Sequence, residues 1–382
     1  MHKELENFLR IAILIVNFVK ASLISLVDLE LRNKTWTFEQ FINHYQHEIY
    51  HLCNNKRRCC KCQPGYIPPP RQILHPPQLT LLLDENTHLP GHVPTNYPTL
   101  CCSPAHSGIS TDVLDITLAR CLLVNFCKDT FWYSCTAFQG ITLEQFLNQN
   151  KHTIYHLWQY QTPCCQCPPG FVYPSDRQVI STVEWSGLFT AVLIPCANDR
   201  KRPNAGPASI CAVAATPNIV LHQINNRLQD ILLKYCCPVK RGVECLVEMR
   251  NVNYGHVKEA HMSDNDYTIC KTEIEKCIFD IARVCGNYST VQSELADHLQ
   301  RPLDETMCNH YQTMLLELVA RNDDLREGLL ELSRQIEEQT KALPNTIDSR
   351  IHAKIQKLID KSKKFTRMEK RLKTVIKTVG KC

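Results

Sequence analysis

The stretch His47-Glu48-Ile49-Tyr50-His51-Leu52, followed by Cys59-Cys60-Lys61-Cys62-Gln63-Pro64-Gly65, returns later in the chain. Its second occurrence reads His152-Thr153-Ile154-Tyr155-His156-Leu157, then Cys164-Cys165-Gln166-Cys167-Pro168-Pro169-Gly170. The offset is 105 for both pieces, and Glu39-Gln40-Phe41 returns as Glu144-Gln145-Phe146 at the same spacing. A fixed period without a gap is the mark of one structural unit used twice. Upstream, Ile15-Val16-Asn17-Phe18 matches Leu123-Val124-Asn125-Phe126 at an offset of 108, which requires a three-residue gap. The apolar N-terminus therefore belongs to the first copy.

Within each copy the histidines are spaced i, i+4 and share one helical face. Eight residues after His51 comes Cys59-x-x-Cys62, and His152, His156, Cys164 and Cys167 repeat the pattern. Two imidazoles and two thiolates suit tetrahedral Zn²⁺, and a small Pro-rich unit gains folding energy from such a clip. The Pro64-Gly65 turn is expected to aim backbone N–H groups at sulfur. Cys60 and Cys165 are alternates within the knuckle pairs, and Cys102 and Cys211 are candidate distant ligands. The plainer alternative is that the histidines are ordinary helix residues and the cysteines buried thiols. Pro64 to Pro98 and Pro168 to Pro207 read as long loops.

A degenerate third copy follows. Leu232-Leu233-Lys234-Tyr235-Cys236 aligns with Leu123-Val124-Asn125-Phe126-Cys127 at an offset of 109. Glu244, Arg250 and His256 fall opposite Glu144, Asn150 and His156 at an offset of 100, so nine residues are deleted between the two alignments. The histidine is then common to all copies, whereas the arginine is replaced by Asn150 and Tyr45 in the others. The third copy reads Arg250-Asn251-Val252-Asn253-Tyr254-Gly255-His256, then Ser263-Asp264-Asn265-Asp266-Tyr267 and an amphipathic run from Ile269 to Val284. A phosphate-holding cation and an imidazole titrating near neutrality are the groups that metal-free RNA cleavage needs. On an ideal helix six residues turn through about 600°, leaving the pair about 120° from eclipsed. Either Gly255 ends or bends the helix, or two protomers share the site. The bland reading makes Arg250 a solvated helix residue and Gly255 a C-cap.

This R-N-x-x-Y-x-H stretch, with its acidic loop, aromatic and final helix, resembles the HEPN domain of the DAZ-interacting zinc-finger protein three type. The resemblance implies a helical bundle that dimerises. It also implies a catalytic set in which His256 handles the 2′-hydroxyl proton, Arg250 steadies the phosphorane-like charge and Asn251 orients the site. Tyr254 would pack or stack on a base. Many such domains keep the fold and only bind, and no RING-type pattern follows here, so ubiquitin-ligase activity is not implied.

The bulk properties set the frame. The chain has 382 residues, 44% hydrophobic and 21% charged, with a formal net charge of +5, which reads as globular and does not announce nucleic-acid binding. Its 22 cysteines fit either an extracellular disulfide scaffold or an intracellular metal-and-thiol protein. Phe8 to Val27 is apolar, but Arg10, Asn17 and Lys20 interrupt it and no small-residue cleavage site follows. It reads as a core helix rather than a transmembrane segment. The sequons at Asn33 and Asn287 are short enough to arise by chance.

Beyond Asn287 heptads appear. Leu315, Asn322, Leu329, Ile336 and Leu343 take a positions and Leu318, Leu325 and Leu332 take d, with Gln339 next, before Pro344 breaks the run. A polar Asn at one a position fixes register and strand number. A weaker phase has Ile351, Leu358, Phe365, Leu372 and Val379 at a, with Lys354 and Lys361 at d. Residues 350 to 382 hold 12 Lys or Arg against 2 acidic residues, either a contact for RNA phosphate, acidic partner or membrane surface, or a solvated helix.

The expectation is thus a mainly α chain: repeat units at 5–113 and 114–219, each with a His/Cys clip, a HEPN-like bundle at 220–287, and C-terminal helices with a basic tail at 288–382. Its expected role is an oligomeric, cytoplasmic interaction scaffold of RNA-related or innate-defence character. It would form a homodimer through 311–343 and meet protein partners through the coiled coil, with RNA as a second partner class. The rival is a metal-independent endoribonuclease using Arg250 and His256; a third is a disulfide-rich secreted protein.

Overall fold

The computed structural model describes residues 3–56, 58–88, 100–175, 177–191, 210–256 and 262–300, with backbone alone at 5 and 252–256. These residues are mainly helical, and among them the strands form one two-stranded antiparallel sheet. The heptads and the basic tail lie outside the described residues. The chain divides into two compact units: one of 1–22, 245–279 and 287–382, the other of Leu23–Glu244 with Asp280–Gly286.

Most of the repeat lies in the second unit. A Thr37–Gln40 capping box starts helix α3 (Phe38–His44), counting the helices from α1 (Lys3–Ile13) and α2 (Lys20–Lys34). Thr37 Oγ1 accepts from Gln40 N and Gln40 Oε1 from Thr37 N, which satisfies two orphan N–H groups. Tyr45, at φ −97° and ψ 14°, separates α3 from α4 (Gln46–Cys53). Leu52 O then accepts from Ile73 N and Leu74 N, bringing the chain back to α5 (Pro76–Leu82). Leu83 makes an isolated antiparallel bridge with Ala105. Asn43 Oδ1 and Glu39 Oε2 tie the returning backbone to α3 by accepting from Ala105 N and Gly108 N.

The same construction follows in the second copy. After α6 (Ile116–Phe126) and α7 (Lys128–Cys135), a Thr142–Gln145 capping box starts α8 (Leu143–Gln149). Asn150 breaks the helix before α9 (Lys151–Trp158), and Leu157 O accepts from Val179 N and Ile180 N. A Ser181–Glu184 capping box starts α10 (Thr182–Leu188). Strand β1 (Phe189–Ala191) pairs with β2 (Val213–Ala215), Phe189 opposite Ala215. Asn148 Oδ1 and Glu144 Oε2 accept from Ala215 N and Asn218 N. Matching backbone contacts give the spacing: 105 at Leu52/Leu157, 106 at Leu83/Phe189, 110 at Ala105/Ala215. The Pro-rich stretches expected to be loops therefore each contain a short helix: α5, where Gln78 Oε1 accepts from His75 N and prolines fill the first turn, and α10, where Ser181 and Glu184 form a capping box.

The third copy is shifted and shortened relative to its sequence alignment. Asp115 Oδ1 caps α6 through Leu118 N, and Asn225 Oδ1 caps α11 (Asn226–Cys236) through Leu228 N, so these helices correspond at an offset of 110, not 109. Cys237 then stands where Cys127 stands. Helix α12 (Pro238–His256) runs unbroken, with no counterpart of the breaks at Tyr45 and Asn150.

A buried carboxylate locks α2 to α7. Glu30 is completely inaccessible, its Oε1 2.9 Å from Lys34 Nζ. Its Oε2 accepts from Thr130 N at 2.9 Å and Thr130 Oγ1 at 2.7 Å, in the first turn of α7, where a negative charge suits the helix dipole. Burial alone would lower the Lys34 pKa; the Glu30 carboxylate reverses this and holds it above the usual lysine value.

In the other unit, α1 continues through a π-helical segment, Leu14–Val19. The helical run Glu6–Lys34, of which residues 6–22 belong to this unit, is long and apolar enough to cross a membrane, and 67% of its most apolar window is buried. Phe8, Ile11, Leu14 and Ile15 are all at most 1% exposed. Asn7 Nδ2 donates to Met262 O and Asp264 Oδ1, and Met262 N donates to Glu4 O. Arg10 reaches Leu299 O, beyond α13 (Asp264–Cys285) and within α14 (Tyr288–Gln300).

Glu30→Ala would leave the Thr130 N–H and hydroxyl without an acceptor and Lys34 with only Asp129 Oδ2 at 3.2 Å and the Tyr45 hydroxyl at 3.3 Å. Urea unfolding should show a loss of about 2–3 kcal/mol, partly recovered in Glu30→Ala/Lys34→Met. A loss below about 0.5 kcal/mol would rule out this carboxylate as the lock.

Candidate metal centres

Each short helix places two imidazoles one turn apart. His47 and His51 ring centroids lie 4.8 Å apart and those of His152 and His156 4.7 Å apart, both edge to face. Beyond the helix, Cys62 N donates to Cys59 O and Cys167 N to Cys164 O, which folds each Cys-x-x-Cys into a turn with both sulfurs on one side. The ligand atoms of His47, His51, Cys59 and Cys62 all lie within 4.8 Å of one another, as do those of His152, His156, Cys164 and Cys167.

The edge lengths are compatible with a metal site. With metal–sulfur bonds near 2.3 Å and metal–nitrogen bonds near 2.0–2.1 Å, a tetrahedron has edges of about 3.8 Å for S···S, about 3.3 Å for N···N and about 3.6 Å for N···S. The Cys59–Cys62 and Cys164–Cys167 sulfurs are 3.7 and 3.5 Å apart. The His152 and His156 Nε2 atoms are 3.3 Å apart. Cys62 Sγ lies 3.1 Å from His51 Nε2 and 3.6 Å from His47 Nε2; Cys167 Sγ lies 3.2 Å from His156 Nε2 and 3.6 Å from His152 Nε2. These residues fit a metal cation. His51 and His156 are fully buried, Cys59 and Cys164 are 4% and 8% exposed, and the other two donors of each set are half-buried.

Surrounding groups orient the ligands. The Asn54 carbonyl takes the Nδ1 proton of His51 at 3.2 Å, leaving Nε2 to face the sulfurs, whereas the buried His156 Nδ1 makes no such hydrogen bond. The Cys59 and Cys164 N–H groups donate to Cys62 and Cys167 sulfur, and Gln166 N to Cys164 sulfur. The N–H donors thus come from within the knuckle and not from the Pro-Gly turn. That turn has a different task. Gln63-Pro64-Gly65-Tyr66 closes through Tyr66 N to Gln63 O, with Gly65 at φ 85°, and Phe171 N to Pro168 O does the same with Gly170 at φ 73°. Proline followed by a positive-φ glycine is the type II pattern. It lays Tyr66 against His47 and His51 at 4.6 and 4.9 Å, and Phe171 against His152 and His156 at 4.7 and 4.9 Å. The aromatic after each Pro-Gly was the overlooked signal, since it repeats at the same offset of 105.

Burial lowers the pKa of all four histidines, favouring the neutral ligand form. It pushes the Cys59 and Cys164 thiols up to about 11, so a cation must displace their protons. The alternates Cys60 and Cys165 belong to neither cluster. They turn away from the clips towards other sulfurs: Cys60 to Cys101 and Cys102, Cys165 to Cys211.

Of Arg250, Asn251 and His256, the structure describes the side chains of the first two and only the backbone of the third. Helix α12 continues through Gly255 to His256, so that glycine does not end it, and positions 250 and 256 keep the spacing of a continuous helix. The Arg250 guanidinium is held by Asn251 Oδ1 at 2.9 and 3.2 Å. The side chains of Tyr254 and His256 lie outside the described residues. The acidic stretch after them starts a helix: Ser263 Oγ accepts from Asp266 N, and Asp264 accepts from Lys3 and Asn7. Compared with known proteins, the chain matches no family model, no curated protein and no solved structure.

Cobalt(II) titration followed by the d–d bands of tetrahedral thiolate coordination should report two sites in the wild type and one in either His51→Ala or His156→Ala. The double variant should show none, and His256→Ala should match the wild type. An unchanged titration in the double variant would contradict the assignment.

Proposed function

We propose that this protein is an intracellular interaction scaffold whose two Cys/His modules fold around structural Zn²⁺. The carrying observation is that each cluster supplies four converging donors, two of them buried and two half-buried. Catalytic zinc keeps a position open for water or substrate, whereas four protein ligands make a closed, structural site. The mixed imidazole–thiolate set with tetrahedral edges suits Zn²⁺ over the harder, oxygen-seeking cations. Cys60 and Cys102 are joined as a cystine, but the buried Cys121 and Cys127 remain thiols, which supports a reducing compartment such as the cytoplasm.

On this reading the modules present rigid surfaces, and the heptads over 311–343 join two chains as a coiled-coil homodimer open to protein partners. The segment resembling a HEPN domain adds RNA as a second class of partner, used for binding. Innate defence is the setting to which the resemblance points.

Metal analysis of the protein purified without added metal should give about two zinc per chain, and chelation should lower the thermal midpoint by several degrees. Light scattering should give twice the chain mass for the wild type and the single mass for Leu318→Lys/Leu325→Lys; equal masses would remove the coiled-coil dimer. RNA cleavage in chelator that is lost in His256→Ala would overturn the scaffold reading in favour of an endoribonuclease.

A further inference from the structure

The cysteines left out of the clips form a pattern of their own. In the first module Cys60 is cystine-paired with Cys102, and its sulfur lies 3.4 Å from Cys101 Sγ. In the second, Cys165 Sγ lies 3.1 Å from Cys211 Sγ. Cys60 and Cys165 correspond at the knuckle offset of 105; Cys101 and Cys211 correspond at 110, the spacing of the Ala105/Ala215 contacts just beyond them. Cys101, not Cys102, is therefore the positional equivalent of Cys211, and Cys102 is an addition of the first module. Each module thus brings one knuckle cysteine and one distant cysteine together beside the metal clip. The knuckle member is half-buried in both modules, and Cys211 is half-buried as well.

We propose that these sulfurs are a thiol–disulfide exchange site in each module, taking a small disulfide such as glutathione disulfide as co-substrate. The Cys165 thiolate attacks one sulfur of glutathione disulfide, forming a mixed disulfide and expelling one glutathione thiolate. The Cys211 thiolate then attacks Cys165 Sγ, closing Cys165–Cys211 and expelling the second. Two protein thiols are oxidised, glutathione disulfide is reduced to two glutathione molecules, and the two thiol protons end on the leaving thiolates. In the first module the cystine is Cys60–Cys102, and Cys101 is placed to attack Cys60 and release Cys102. The cystine ties the knuckle loop covalently to the segment that follows it. None of these sulfurs is a clip ligand, so the proposal stands whichever metal the clips hold.

The test uses the zinc-loaded full chain equilibrated over a range of reduced and oxidised glutathione, quenched in acid, alkylated with N-ethylmaleimide and mapped by peptide mass spectrometry. Cys165–Cys211 should accumulate as the buffer becomes oxidising, while Cys164 and Cys167 stay unlinked. Cys211→Ser should trap glutathione on Cys165, and Cys102→Ser should move the first cystine to Cys60–Cys101. Circular dichroism of both variants should match the wild type; should Cys211→Ser unfold, the wild-type map alone still decides. Cys165 and Cys211 alkylated at the oxidising limit would overturn the proposal, as would either one linked to a clip cysteine. So would copper(I) at one equivalent per module protecting both sulfurs in reducing buffer while glutathione disulfide fails to link them. A closed Cys165–Cys211 in protein whose clips bind no zinc would uphold it while defeating the zinc reading.

Discussion

Two imidazoles and two thiols must meet at a single point, twice, and the rest of each module follows from that demand. The helix carrying the histidines can be only eight residues long, because its end must lie within reach of a knuckle that turns back over it. A capping box fixes where the preceding helix begins, and a break at Tyr45 or Asn150 resets direction before the ligand helix starts. The carbonyl of Leu52 or Leu157 catches the returning chain with two N–H groups, so the knuckle is anchored on its far side as well. The aromatic that follows each Pro-Gly then packs against both imidazoles. Hydrophobic burial surrounds these modules, yet it could not by itself set four donor atoms at tetrahedral spacing.

Where that demand is absent the architecture changes. The third segment keeps the capped helix and the following helix of the repeat, then runs on as one long helix without a break or a knuckle. A histidine survives at position 256 only as a residue near the end of that helix. The shared histidine of the sequence alignment thus occupies two different structural settings. The functional reading of positions 250 to 256 rests on a resemblance, whereas that of the clips rests on converging atoms.

The two His/Cys clusters were legible in the sequence because their geometry is local. An i, i+4 pair and a Cys-x-x-Cys need only a helix and a turn to become two preassembled halves. The separation of Cys60 from Cys59 was less legible, since adjacent residues in a turn point apart and composition cannot say which one faces the histidines. The partner of Cys60 was harder still. Two adjacent cysteines, 101 and 102, compete for the equivalence with Cys211, and only the backbone contacts at Ala105 and Ala215 decide between them. The short helices within the Pro-rich stretches were hidden by proline content, although Ser181 and Glu184 already spelled a capping box. Glu30 was invisible for a related reason: a carboxylate in a helical stretch reads as solvent-facing until its long-range acceptor role at Thr130 is seen.

The spacing between equivalent contacts also records where this architecture tolerates change in length. From Leu83 to Ala105 the chain advances 22 positions, and from Phe189 to Ala215 it advances 26, yet both pairs meet as antiparallel partners. Loop closure costs only about 0.6 kcal/mol more for each doubling of chain length, so four additional residues add little to it. By contrast, the interval from His51 to Cys62 is identical in both copies. Selection could therefore graft new peptide between these strand partners, diversifying one copy's outer contour while the knuckle's dimensions stay frozen.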